Sequence, residues 1–126
     1  MDAKYIERIL DLQKRKVSDE NKKWYHFDMN HLINWIQWEL SEVQDEIKQN
    51  NTIYLEDELA DVFWTYTRLL CSLEIDGYID IQQVFQRAEA KFRERVDAVE
   101  NNISWDEIKK IQKEKREKEH NTLYQK

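Results

Sequence analysis

The sequence predicts an all-α protein, a bundle of four or five helices in one domain spanning residues 1–126. Three observations lead there. The 126 residues hold no proline and one glycine, Gly77, so the punctuation of tight β-turns and short strands is almost missing. Hydrophobic residues make up 40% and charged residues 37%, the balance of helices with one buried stripe and one wet face. Apolar residues also recur at helical spacing in five segments, each with its own boundary signals.

The first segment runs from about Asp2 to Lys16, with Tyr5, Ile6, Ile9, Leu10 and Leu12 on its apolar face. A polar stretch, Ser18 to Lys23, reads as a connection into the aromatic cluster Trp24-Tyr25-His26-Phe27. Asp28 is placed to cap a second helix that continues through Ile47 to a break at Asn50-Asn51. The third helix spans roughly Thr52 to Ile75 and stops at Asp76-Gly77, where glycine can take the left-handed conformation that ends helices. Asp80 caps the fourth, which reaches about Asn101. Ser104 and Glu107, three apart, form a capping box for the fifth. Its end, about residues 109–126, mixes lysine with Glu114, Glu117 and Glu119 and reads as a solvated helix or tail.

Composition narrows the function classes. Twenty-six acids against twenty bases give a net charge of −6, which opposes binding to a nucleic-acid backbone. No apolar run approaches the ~18 residues of a membrane helix, and the first residues are charged rather than signal-like. A lone cysteine, Cys71, lies in an apolar stretch and reads as a small buried hydrophobe of a reducing compartment. The expectation is a cytoplasmic protein that binds neither membrane nor nucleic acid.

Chemistry enters with two acidic spacings. Helix two carries Glu39-Leu40-Ser41-Glu42 and helix three carries Glu58-Leu59-Ala60-Asp61. Positions three apart share one face of a helix, so each helix presents a pair of carboxylates about one turn apart. Leu32, Ile36, Leu40, Val43 and Ile47 read as the core stripe of helix two, and Leu55, Leu59, Val62, Tyr66, Leu69 and Leu73 as that of helix three. Both acidic pairs flank their stripe. The short connection makes the helices antiparallel neighbours, so the acidic edges can meet. Carboxylates converging on a seam must be protonated or neutralised by cations, and hard oxygen donors select magnesium, with manganese as a substitute.

The run Glu-x-x-Glu, fifteen residues, Glu-x-x-Asp resembles the signature of the all-helical nucleotide pyrophosphohydrolases that include MazG. The segments around Trp35–Ile47 and Asp57–Phe63 resemble that family's two acidic helices. Gly77-Tyr78-Ile79-Asp80-Ile81, Lys91-Phe92-Arg93-Glu94-Arg95-Val96 and Ser104-Trp105-Asp106-Glu107 are similar to its later elements. The likeness runs from about Trp24 to Lys115.

The resemblance implies a magnesium-dependent enzyme that cuts nucleoside triphosphates to monophosphate and pyrophosphate. It implies Glu39, Glu42, Glu58 and Asp61 as metal ligands, with Glu39 and Glu42 catalytic, and Lys91 and Arg95 as cations for the triphosphate. Trp24 is the first choice for stacking on the base, Trp35 and Trp38 the second. Many family members carry two consecutive glutamates where this chain has Trp38-Glu39. That departure leaves either Glu39 or Glu46 to activate water, and Glu39 is the preferred assignment. Helix three is apolar around most of its circumference, with Trp64 opposite the stripe, which suits a homodimer or homotetramer.

Related hydrolases of dUTP, dCTP or phosphoribosyl-ATP share these features, and a non-catalytic helical interaction module is the alternative outside enzymes. A ferritin-type di-metal site needs Glu-x-x-His on core helices, and only Glu117-x-x-His120 fits, in the tail.

Overall fold

The computed structural model describes residues 1–22 and 28–124. Its described residues form α1 (Lys4–Lys22), α2 (Met29–Asp45), α3 (Thr52–Ile75), α4 (Ile81–Glu100) and α5 (Trp105–Tyr124), with no strand among them. The all-α expectation holds. Two compact units divide the chain, Met1–Ile81 and Gln82–Lys126.

The boundary signals act as their chemistry requires. The Asp28 side chain accepts from the His31 backbone N–H at 2.8 Å, tying the first turn of α2. Between α2 and α3, Asn50 takes a left-handed φ of 56°, which asparagine tolerates better than most residues. Asn51 then donates its side-chain amide back to the Glu46 carbonyl at 2.8 Å and to the Glu46 carboxylate at 2.6 Å. At the end of α3, Gly77 (φ 81°) lets Tyr78 N–H reach the Leu73 carbonyl at 2.9 Å, a Schellman ending. Asn102 (φ 64°) repeats the device after α4, where Ile103 N–H meets the Ala98 carbonyl at 2.9 Å. Ser104 accepts from Glu107 N–H at 3.1 Å to open α5. At the start of α4 the Ile81 N–H donates to the Glu74 carboxylate at 2.7 Å.

Two boundaries differ from expectation. Helix α1 continues six residues past Lys16, through the polar stretch that reads as a connection. Those residues are adequate helix formers, and no glycine or proline interrupts them. Helix α2 ends at Asp45, one turn before the Asn50-Asn51 break.

In the first unit α3 is the central rod, packed against α2 on one side and α1 on another. Its buried residues are Thr65, Thr67, Arg68, Leu70 and Cys71, not the stripe expected from hydrophobicity. Leu59 and Tyr66 are exposed, as are Leu40 on α2 and Ile47 just beyond it. Hydrogen bonding from α1 accounts for part of that buried set. Gln13, fully buried, donates its amide to the Trp64 carbonyl at 2.8 Å and to the Thr67 hydroxyl at 3.0 Å, so a polar arc of α3 is satisfied and covered.

The second unit is an antiparallel pair, α4 and α5. Arg95 Nε donates to Gln112 Oε1 at 2.7 Å, and the Gln112 amide donates to the Lys91 carbonyl at 3.0 Å and the Glu94 carboxylate at 3.2 Å. The Arg95 guanidinium lies 5.2 Å from the ring centres of both Phe92 and Trp105.

Candidate metal centre

The antiparallel packing of α2 and α3 sets Glu39 opposite Asp61 and Glu42 opposite Glu58. The faces that meet are the acidic ones. Glu39, Glu42 and Glu58 are half-buried and Asp61 is exposed at the rim. One carboxylate oxygen each from Glu39, Glu58 and Asp61 lies within 4.8 Å of the other two. The fourth acid, Glu42, lies against Glu58.

Burial pushes the Glu39 carboxyl above its ordinary range, and the negative charges of Asp61 and Glu42 push it further. Burial does the same to Glu58, reinforced by its hydrogen bond with Glu42 and the charges of Glu42, Asp61 and Glu39. One oxygen of Glu39 and one of Glu58 are buried without a hydrogen-bond partner. Leaving such atoms unpaired is costly, and a divalent cation is the partner that three converging carboxylates fit. All-oxygen donors with no histidine or thiol among them suit a hard ion.

A pH dependence follows. A carboxyl raised in the folded state means that the folded, metal-free chain binds more protons than the unfolded one. Stability from this seam is therefore lost as pH rises from the usual glutamate value of 4.5 through the raised values. Calorimetry without metal should show wild-type Tm falling relative to Glu58→Gln across that window. Magnesium competes with those protons, so its stabilising shift should be larger at about pH 8 than at about pH 5. A wild-type Tm that climbs relative to the variant would contradict this account.

Beside the seam, within the first unit, lies a pocket of about 340 Å³ lined by Lys16, Trp35, Glu39, Asp61, Trp64, Thr65 and Arg68. Glu39 and Asp61 thus face both the cluster and a space large enough for part of a small molecule. Trp64, assigned to an interface by its position opposite the apolar stripe, is a wall of this pocket. Thr65 and Arg68 are missed by the acidic spacing, although they follow Asp61 by four and seven residues and so share its side of the helix. The Thr65 hydroxyl donates to the Asp61 carbonyl at 2.8 Å, and buried Arg68 donates through Nε to the Ser72 hydroxyl at 3.2 Å. Lys16 comes from α1, whose placement no local pattern gives.

The remaining expected residues are distributed as follows. Trp35 lines the pocket and lies 5.5 Å from the His31 ring, whereas Trp38 is 63% exposed. Glu46, the alternative for activating water, is engaged by Asn51. Lys91 and Arg95 belong to α4 of the second unit, Lys91 half-buried and Arg95 buried. Trp24 lies outside the described residues. Cys71 is buried, and burial raises its thiol pKa, as befits a packing residue. No helix among the described residues is long and apolar enough to cross a membrane.

A family model described as the MazG nucleotide pyrophosphohydrolase domain matches residues 27–100. Neither a curated protein nor a solved structure matches the chain. The matched span is more than half of the sequence and holds both acidic helices with all four carboxylates of the seam, so the chain belongs to the MazG nucleotide pyrophosphohydrolase family.

Proposed function

We propose that the protein hydrolyses nucleoside triphosphates to the monophosphate and pyrophosphate, with magnesium held by Glu39, Glu42, Glu58 and Asp61. The observation that carries this reading is the convergence of three carboxylate oxygens within 4.8 Å, two of the residues bearing a buried oxygen that nothing else satisfies. A bound divalent ion supplies charge neutralisation for a phosphate chain and a more acidic water. Manganese has the same donor preference and substitutes for it.

The chain's own groups do the rest. Glu39 faces the pocket and the cluster together, and it is the group assigned to take the proton of the water that attacks the α-phosphorus. Glu42 lies against Glu58 and completes the acidic seam. Trp35 and Trp64 offer flat apolar walls for a nucleobase. Trp24 is a further stacking residue on the strength of the family likeness. Lys91 and Arg95 are assigned, on the strength of the family likeness, as positive charges for the triphosphate and the departing pyrophosphate. Exposed Leu40, Leu59 and Tyr66 support assembly into a homodimer or homotetramer, which would cover them. A cytoplasmic setting suits the substrate class.

The test is product identification. Purified protein, magnesium and a panel of ribo- and deoxynucleoside triphosphates should give monophosphate and pyrophosphate, and Trp64→Ala should raise KM for the preferred base. Diphosphate and orthophosphate as products, or no turnover on any member, would refute the reading.

A further inference from the structure

A neutral side chain of α5, Gln112, addresses three charged residues of α4. It is buried, and both its amide N–H groups and its carbonyl oxygen are in use. The amide donates to the Lys91 carbonyl at 3.0 Å and to Glu94 Oε1 at 3.2 Å. Its oxygen accepts from Arg95 Nε at 2.7 Å. The matched family span ends at residue 100, so α5 makes this contribution from outside it.

Glu94 is the natural counter-ion of this stretch. It stands three residues from Lys91 and next to Arg95, and opposite charges three apart on a helix readily pair. Yet among the described residues Lys91 pairs with no carboxylate. Its ammonium lies 5.4 Å from the Phe92 ring centre instead. Burial lowers the Lys91 pKa, and the charges of Arg95, Arg116 and Lys109, all positive, lower it further. An amide can hold a carboxylate by hydrogen bonding without adding a charge of its own.

We propose that Gln112 is a positioning residue. It holds the Glu94 carboxylate off Lys91 and fixes Arg95 through Nε, so that both cations stay available to an anionic substrate. That this substrate is a nucleoside triphosphate rests on the function proposed above; the restraint on Glu94 does not.

Gln112→Met keeps the side chain's length and removes all three hydrogen bonds. With magnesium present, KM for the preferred triphosphate should rise roughly fivefold while kcat stays within about twofold. Adding Glu94→Gln should bring KM back to the wild-type value, because no carboxylate is left to cover Lys91. Glu94→Gln alone should leave KM unchanged. A second readout needs no turnover. In NMR titration with side-chain-labelled lysine, Lys91 should titrate at higher pH in Gln112→Met and return in the double variant. Lys91→Arg assigns the resonance, and circular dichroism checks each fold. Should Gln112→Met not fold, Gln112→Asn, too short to reach Glu94 and Arg95 together, carries the same expectations. A protein that hydrolyses no triphosphate, yet shows the Lys91 shift and its reversal, would remove the proposed function and leave this restraint standing. An unmoved Lys91 titration overturns the proposal. So does, in an active enzyme, a KM that Gln112→Met leaves unchanged or that Glu94→Gln does not restore.

Discussion

Replacing Glu39 by glutamine or Asp61 by asparagine should abolish metal-dependent turnover and leave the helical circular dichroism unchanged. Each change keeps the side chain's size and removes the charge that draws a cation to the seam. The expected loss in kcat is on the order of 10²–10³-fold, the scale seen when one electrostatic contact to a reacting phosphate or carbonyl is deleted. Neither residue supports the core. Asp61 is exposed at the rim, and Glu39 has a buried oxygen with no partner to lose. Removing a like charge from a repelling group should hold or raise the metal-free Tm while magnesium no longer shifts it. Full activity in both variants would remove these residues from the reaction.

Leu32→Ala carries the largest expected cost in stability. Leu32 is fully buried on α2, the helix that presents Glu39 and Glu42. Deleting it removes apolar burial and leaves a cavity, at about 2–5 kcal/mol. Urea denaturation should show the midpoint falling with the slope retained. Leu32→Met, close in volume, should cost less than about 1.5 kcal/mol. A Leu32→Ala variant as stable as wild type would show that α2 is not anchored there.

Much of this was legible in the sequence because it depends on short-range chemistry. Asp28, Gly77 and Ser104 end or begin helices through bonds to residues only a few positions away, so their meaning travels with the local sequence. The acidic seam was legible for a related reason. A spacing of three fixes a face, and a short connection fixes antiparallel order.

What escaped was set by partners far along the chain. The covered arc of α3 follows from Gln13, which reaches a carbonyl and a hydroxyl more than fifty residues away. Hydrophobicity ranks Leu59 and Tyr66 above Thr65, Thr67 and Arg68 as core, and the structure reverses that order because the polar groups have their hydrogen bonds. That Trp64 walls a pocket escaped for the same reason, since its surroundings depend on where α1 lies.

The Gln112 amide has a consequence for how α5 finds its place. From Lys109 onward that helix is a near-repeat of lysine and glutamate, and ion pairs with α4 could re-form after sliding by one turn at little loss. Gln112 breaks the degeneracy, because its acceptor and donor atoms meet Arg95, Lys91 and Glu94 together in a single alignment. One uncharged side chain in a monotonous stretch thus works as a key, making a slippery rod lock at a defined notch.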